Sequence, residues 1–175
     1  MAEIPQAIVE YLSTGDGVRL AELRQQYPEL PQQLRDPAVR RNLLALLDSP
    51  AVRADPDSDW TAALLRFLRT DASPAESPLV RPFLTATSPM TRLRAFEFLV
   101  FAHFGDQDRT QLLTLLKQML MDPDDMVRAQ AAEYVQRAGA TQELRGVLRA
   151  WRRAAARRGW QATSGFEQVS RLLDR

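Results

Sequence analysis

Side chains able to do chemistry are few in this chain, and they are unevenly placed. Residues 145–175 hold eight arginines against two acidic residues, a net +6, whereas residues 1–80 hold eight against twelve (−4) and residues 81–144 sum to −1. On a helix expected over 142–158, turning about 100° per residue, Arg145, Arg149, Arg152, Arg153 and Arg157 share one arc of about 140°. Leu144, Val147, Leu148, Trp151, Ala154 and Ala155 fill the opposite side, and no acidic residue interrupts from Leu144 to Phe166. Like charges crowded on one face repel, which costs stability unless an anion compensates. Two readings stand at this point. The face is either a solvated surface whose last arginines favour the helix dipole, or a docking surface for an anionic partner. In the second case guanidinium forks suit both carboxylate and phosphate.

Other constellations yield less. The chain has no cysteine, so disulfides, thiolate metal sites and cysteine nucleophiles are excluded. His103 is the single histidine, which excludes any site needing two imidazoles. It sits two residues before Gly105, between Phe101 and Phe104, where a helix C-terminus favours it when protonated. Asp122, Asp124 and Asp125 crowd one turn, but Pro123 and Met126 do not fit a calcium loop, and acids at a helix N-terminus complement its dipole. No Gly-x-Ser-x-Gly, Walker loop, His-Glu-x-x-His or Gly-x-Gly-x-x-Gly is present. No catalytic residue, metal or cofactor is therefore expected. Of the tryptophans, Trp60 and Trp151 fall at core spacing with leucines. Trp160, after Arg157-Arg158-Gly159, either closes the C-terminal end of the fold or stands exposed for a ligand.

The elements that must position these residues are helices. With 175 residues, 45% apolar and 26% charged, the chain is expected to form one globular domain. Period-3.6 patterning predicts helices near 4–13, 18–27, 37–48, 59–70, 77–86, 89–104, 107–121, 123–138, 142–158 and 164–174. Asp36-Pro37, Ser88-Pro89 and Asp122-Pro123 each place a capping side chain before a proline suited to the first helical position. Ser164-Gly-Phe-Glu167 has capping-box spacing. Residues 49–58 and 71–77, rich in Asp, Ser and Pro, read as solvent-exposed connectors. The longest membrane-like run, Phe98–Ala102, is far below the roughly 20 residues of a spanning helix. The N-terminus lacks a basic then apolar stretch, so a cytoplasmic protein is the expectation. Arginine outnumbers lysine 22 to 1, a bias read first as genome composition.

Internal repetition points to the architecture. Ser88–Gly105 aligns with Asp122–Gly139 at an offset of 34, matching Pro89 to Pro123, Leu93 to Val127, Arg94 to Arg128 and Gly105 to Gly139. A helical hairpin recurring at such a period buries its apolar face only by stacking on a neighbour. Here the residues resemble the HEAT-like repeat family. Leu112–Met121, the turn Asp122-Pro-Asp-Asp and then Met126-Val127-Arg128-Ala look like a complete unit, and the resemblance is specific over about 78–139. It implies an α-solenoid, a right-handed stack of antiparallel hairpins over 1–175. In that stack residues 1–75 form divergent repeats or a helical cap, and 140–175 a basic helical pair. It also implies that Asp122 and Arg128, and with less support Arg94, form a polar ladder between repeats. Most such arrays are scaffolds, which makes a non-enzymatic protein-binding module the leading expectation, with no membrane contact. Its protein partner would dock on the surface lined by the second helices of the repeats or, if acidic, on the C-terminal arginine face. The alternative is a nucleic-acid binder, since some HEAT-like folds bind DNA and a few are glycosylases for alkylated bases. A bilin-lyase type of enzyme stands third, with no residue here marking a chromophore site.

Overall fold

Proline and side-chain caps decide where most of the helices begin, those starting at Thr110 and Thr141 excepted. The structure, a computed structural model, describes residues 36–174 together with residues 9, 25, 26 and 28. Apart from the helical residues 9, 25 and 26, the helices expected at 4–13 and 18–27, and with them the N-terminal part of the 1–75 region, lie outside the described residues. Among the described residues every regular element is helical: α1 Pro37–Leu47, α2 Pro50–Ala54, α3 Asp59–Leu68, α4 Ser77–Val80, α5 Pro89–His103, α6 Thr110–Leu120, α7 Asp125–Arg137, α8 Thr141–Arg157 and α9 Ser164–Leu173. No helix among them is long and apolar enough to cross a membrane.

Several boundaries differ from expectation for local reasons. Residues 49–58 are not a plain connector: Ser49 accepts from the Val52 N–H and Pro50 takes the first helical position, so α2 forms. The expected helix at 77–86 ends at Val80, because Pro82 lacks an N–H and clashes with the preceding turn; the chain continues as a 3-10 turn over Arg81–Thr85. Within 71–77, Ser73 and Glu76 form a reciprocal capping box on the 3-10 turn Pro74–Glu76. Asp122-Pro123 does not start α7. Asp124 is the cap, accepting from Met126 and Val127, and Pro123 precedes it. At α9 the cap is Thr163 rather than Ser164.

The chain groups into two compact units, Met1–Phe98 and Leu99–Arg175. In the first, α1 packs against α3, burying Val39, Leu43 and Leu47 together with Leu64, Leu65 and Leu68. Trp60, expected in the core, is only half-buried. In the second, α7 packs on α6 and α9, and α8 on α9. Leu112, Leu115, Leu116 and Met119 form the α6 side of this core. Ala131 and Ala132 let α7 approach its neighbours closely, and Gly165 does the same for α9. A Cβ on Gly165 would stand 2.7 Å from Asp125 Oδ1 and 3.3 Å from Arg128 Cβ.

Candidate functional site

The second unit holds both the arginine cluster and the best-built polar turn. Gly139, at φ 60°, ends α7 in the left-handed region, and the Ala140 N–H returns to the Val135 carbonyl. The chain restarts at once as α8. Leu144, Leu148, Trp151 and Ala155 are buried at spacings of four, three and four residues, which fixes the rotation of the helix. The opposite side then faces solvent. Arg149, Arg153 and Arg157 are exposed. No side-chain partner reaches these three among the described residues. The flanking pair is engaged: Arg152 pairs with Asp174 at 3.1 Å, and half-buried Arg145 donates weakly to Gln142 Oε1 at 3.4 Å. Glu143, the acid of the first turn, is held by Arg109 at 2.7 Å. The exposed core of the face is therefore three arginines, not five.

Gly159, at φ 75°, stops α8 and turns the chain so that Trp160 lies back on the unit. Its ring meets the Arg128 guanidinium at 4.3 Å and that of Arg158 at 5.1 Å. Arg128 is 3% exposed and donates to the carbonyls of Asp122 (2.8 Å) and Pro123 (2.6 Å) and to Asp125 Oδ1 (3.2 Å). Its Nε is buried without a partner. Beside this stack Met121, Pro123, Trp151, Ala154, Arg158 and Trp160 line a cleft of about 190 Å³.

Asp122 and Arg128 are thus adjacent, but Arg128 takes the Asp122 carbonyl, while the Asp122 carboxylate accepts from the Asp124 N–H at 2.8 Å. The acid that joins two helices is Asp125. It accepts from the Ser164 N–H (3.1 Å), the Ser164 hydroxyl (2.8 Å) and the Gly165 N–H (3.1 Å), capping α9 from α7. Partial burial acts to raise its pKa. The hydrogen bonds from Ser164, Thr163 and Gly165, with the Arg128 charge, outweigh that and hold it below the ordinary value. In the sequence Asp125 reads only as a dipole complement, since nothing in the chain marks a partner 39 residues away.

Arg94 is placed differently from Arg128. It donates to Glu97 at 2.7 Å, and Glu97 also pairs with Arg69. The residue with the geometry of Arg128 is Arg92, 8% exposed, which donates to the carbonyls of Ala86 (2.9 Å) and Thr87 (2.8 Å). Both arginines reach the residues five and six before them. Both follow a cap by four, Ser88 in one case and Asp124 in the other. The local geometry therefore repeats with an offset of 36 rather than 34. At 36, buried Phe98 and Leu99 match buried Tyr134 and Val135; at 34, buried Leu99 would face exposed Glu133.

His103 is buried, with Nδ1 2.7 Å from Asp106 Oδ2 at the end of α5, a helix-terminal pair rather than part of a cleft. No group of three or more potential metal ligands occurs among the described residues. No family model, curated protein or solved structure matches the chain.

Proposed function

We propose that the protein is a non-enzymatic interaction module, an α-solenoid of HEAT-like hairpins that binds an acidic protein surface through α8. The observation that carries this is the trio Arg149, Arg153 and Arg157, exposed on one face with no counter-charge among the described residues. Cations held this close without an acid leave a local positive potential, which steers an anionic partner and rewards its binding. The helix beneath is anchored by Trp151 and three other buried residues, so the face is presented on a rigid support. Support for the solenoid is the recurrence of one capped, arginine-locked helix start at Ser88 and Asp124. In a hairpin array these turns would carry the contacts between successive repeats, with Asp122, Arg128 and Arg92 or Arg94 in the ladder role.

A nucleic acid is the alternative anion, because a guanidinium recognises phosphate as well as carboxylate. Fluorescence anisotropy at low salt separates the two, using a labelled glutamate-rich peptide beside single- and double-stranded oligonucleotides. Saturable peptide binding that weakens as salt rises supports the protein partner. Binding of oligonucleotides alone transfers the face to phosphate recognition.

A further inference from the structure

The cleft beside Trp160 adds a second, apolar element to the charged face. We propose that it is an anchor pocket for one large apolar side chain of an acidic peptide segment, whose neighbouring carboxylates lie on Arg153, Arg157 and Arg158. This rests on the reading of α8 as a surface for an acidic protein.

Size comes first. A cavity of about 150 Å³ takes up a benzene ring, and sites for drug-sized ligands run from about 300 Å³ upward. At about 190 Å³ the cleft suits one phenylalanine- or leucine-sized group. The lining then sets the chemistry. Ala154 and Ala155 leave space on α8 where Leu148 and Leu144 fill it two and three turns earlier, and the floor behind them is Trp151. Met121 stands on the rim 65% exposed, a flexible thioether able to fold over an incoming side chain. Trp160 forms a wall that is already braced by two guanidinium groups, so its ring need not be ordered on binding.

Charge selects the occupant. Arg158 is exposed at the rim, stacked on Trp160. Around the α8 axis Ala154 lies about 60° from Arg157, so cleft and arginine face adjoin. Asp122, the acid among the lining residues, is 8% exposed, and its carboxylate is turned to its own turn. An apolar pocket edged by unpaired cations fits a chain that carries an apolar side chain between acids. A buried anchor with a charged rim is the usual division of labour at a protein interface.

The test uses the full chain and labelled peptides read by anisotropy: a glutamate-rich peptide with one central phenylalanine, the same peptide with alanine there, and a glutamine-rich peptide with the phenylalanine. The phenylalanine is expected to tighten binding of the acidic peptide about tenfold or more. Ala154→Phe, which fills the cleft, should erase that difference and leave the alanine peptide unaffected. Met121→Glu, at an exposed position, should weaken the phenylalanine peptide without disturbing the fold, and serves if Ala154→Phe does not fold. Equal, salt-sensitive binding of both acidic peptides overturns the pocket and leaves the arginine face standing. Failure of every acidic peptide overturns the face itself, and the pocket with it. Two further results reassign the cleft and overturn the acidic peptide as occupant: tight binding of the glutamine-rich peptide, or self-association in the ultracentrifuge that Ala154→Phe abolishes.

Discussion

Arg128 brings a full charge into a site where 3% of it stays exposed. It is tolerated there because two carbonyls and the Asp125 carboxylate accept from it and Trp160 covers it. Arg128→Ala takes the guanidinium donor from both carbonyls, while Asp125 keeps its bonds from Ser164 and Gly165, and should cost about 1–3 kcal/mol in urea unfolding. Arg92 has the same pair of carbonyl bonds, so Arg92→Ala should cost a similar amount. Arg94→Ala should cost less, since buried Glu97 keeps Arg69. Should Arg94→Ala prove the costlier, the offset of 36 is wrong and that of 34 right. Asp125 gives a second test at this scale. Its folded-state pKa is depressed, so its contribution is complete above the ordinary aspartate value of about 3.9 and is lost as pH falls through the lower folded value. The stability gap between the parent and Asp125→Asn should therefore be flat at neutral pH and close on acidification. A gap that widens below pH 4 would show that the carboxylate is not the favoured form in the fold.

Between elements, the tightest joint is where α9 starts on α7. Gly165→Ala would push against Asp125 and Arg128 and dislodge the cap, which should destabilise by about 1–3 kcal/mol. Gly146, in α8 with open space at its Cβ, offers the contrast: Gly146→Ala should stabilise by up to about 1 kcal/mol. Thermal melts of the two variants should move in opposite directions. Much at this scale was legible in the sequence. Apolar periodicity located the helices from α1 to α9 to within a few residues, α2 and the break at Pro82 excepted. What escaped is pairing at a distance. Ser164 reads as a cap, yet it lies inside α9 and donates to Asp125, because Thr163 one residue earlier supplies the cap. The offset of 34 rests on identities such as Pro89 with Pro123, Arg94 with Arg128 and Gly105 with Gly139. The two prolines, however, stand in unlike positions, one inside a helix and one before its cap. The cap-x-x-Thr/Val-Arg pattern at Ser88–Arg92 and Asp124–Arg128 was present all along. It recurs at Asp36–Arg40 and Ser49–Arg53, whose arginines donate to the carbonyls of Leu68 and Leu79. Cβ atoms tilt toward the helix N-terminus, so Arg92 and Arg128, one turn past their caps, reach back to carbonyls just before the helix start. Arg40 and Arg53 instead reach across to a neighbouring element.

For the whole chain, near-neutral net charge conceals a polarity, −4 over residues 1–80 against +6 over residues 145–175. The asymmetry was plain in the sequence, but which arginines stay free was not, because Asp174 and Gln142 take up Arg152 and Arg145. Arg149, Arg153 and Arg157 are then the positions to reverse. Replacing all three by Glu takes the net charge from +1 to −5, since each change moves two charges. The fold should survive, because these side chains are exposed and α8 is held by Leu144, Leu148, Trp151 and Ala155. A glutamate at position 157 meets the negative end of the helix dipole, at a cost of about 0.3–1 kcal/mol. Circular dichroism should accordingly show parental helicity, with melting shifted by a few degrees. Binding of an acidic peptide should vanish, because attraction becomes repulsion at all three points, while the parent's own binding should fall steadily with added salt. Parental affinity in the reversed protein, indifferent to salt, would mean that α8 presents only a solvated surface. In the proposed hairpin array the interaction would then belong to the second helices of the repeats, where apolar contact rather than charge would have to carry it.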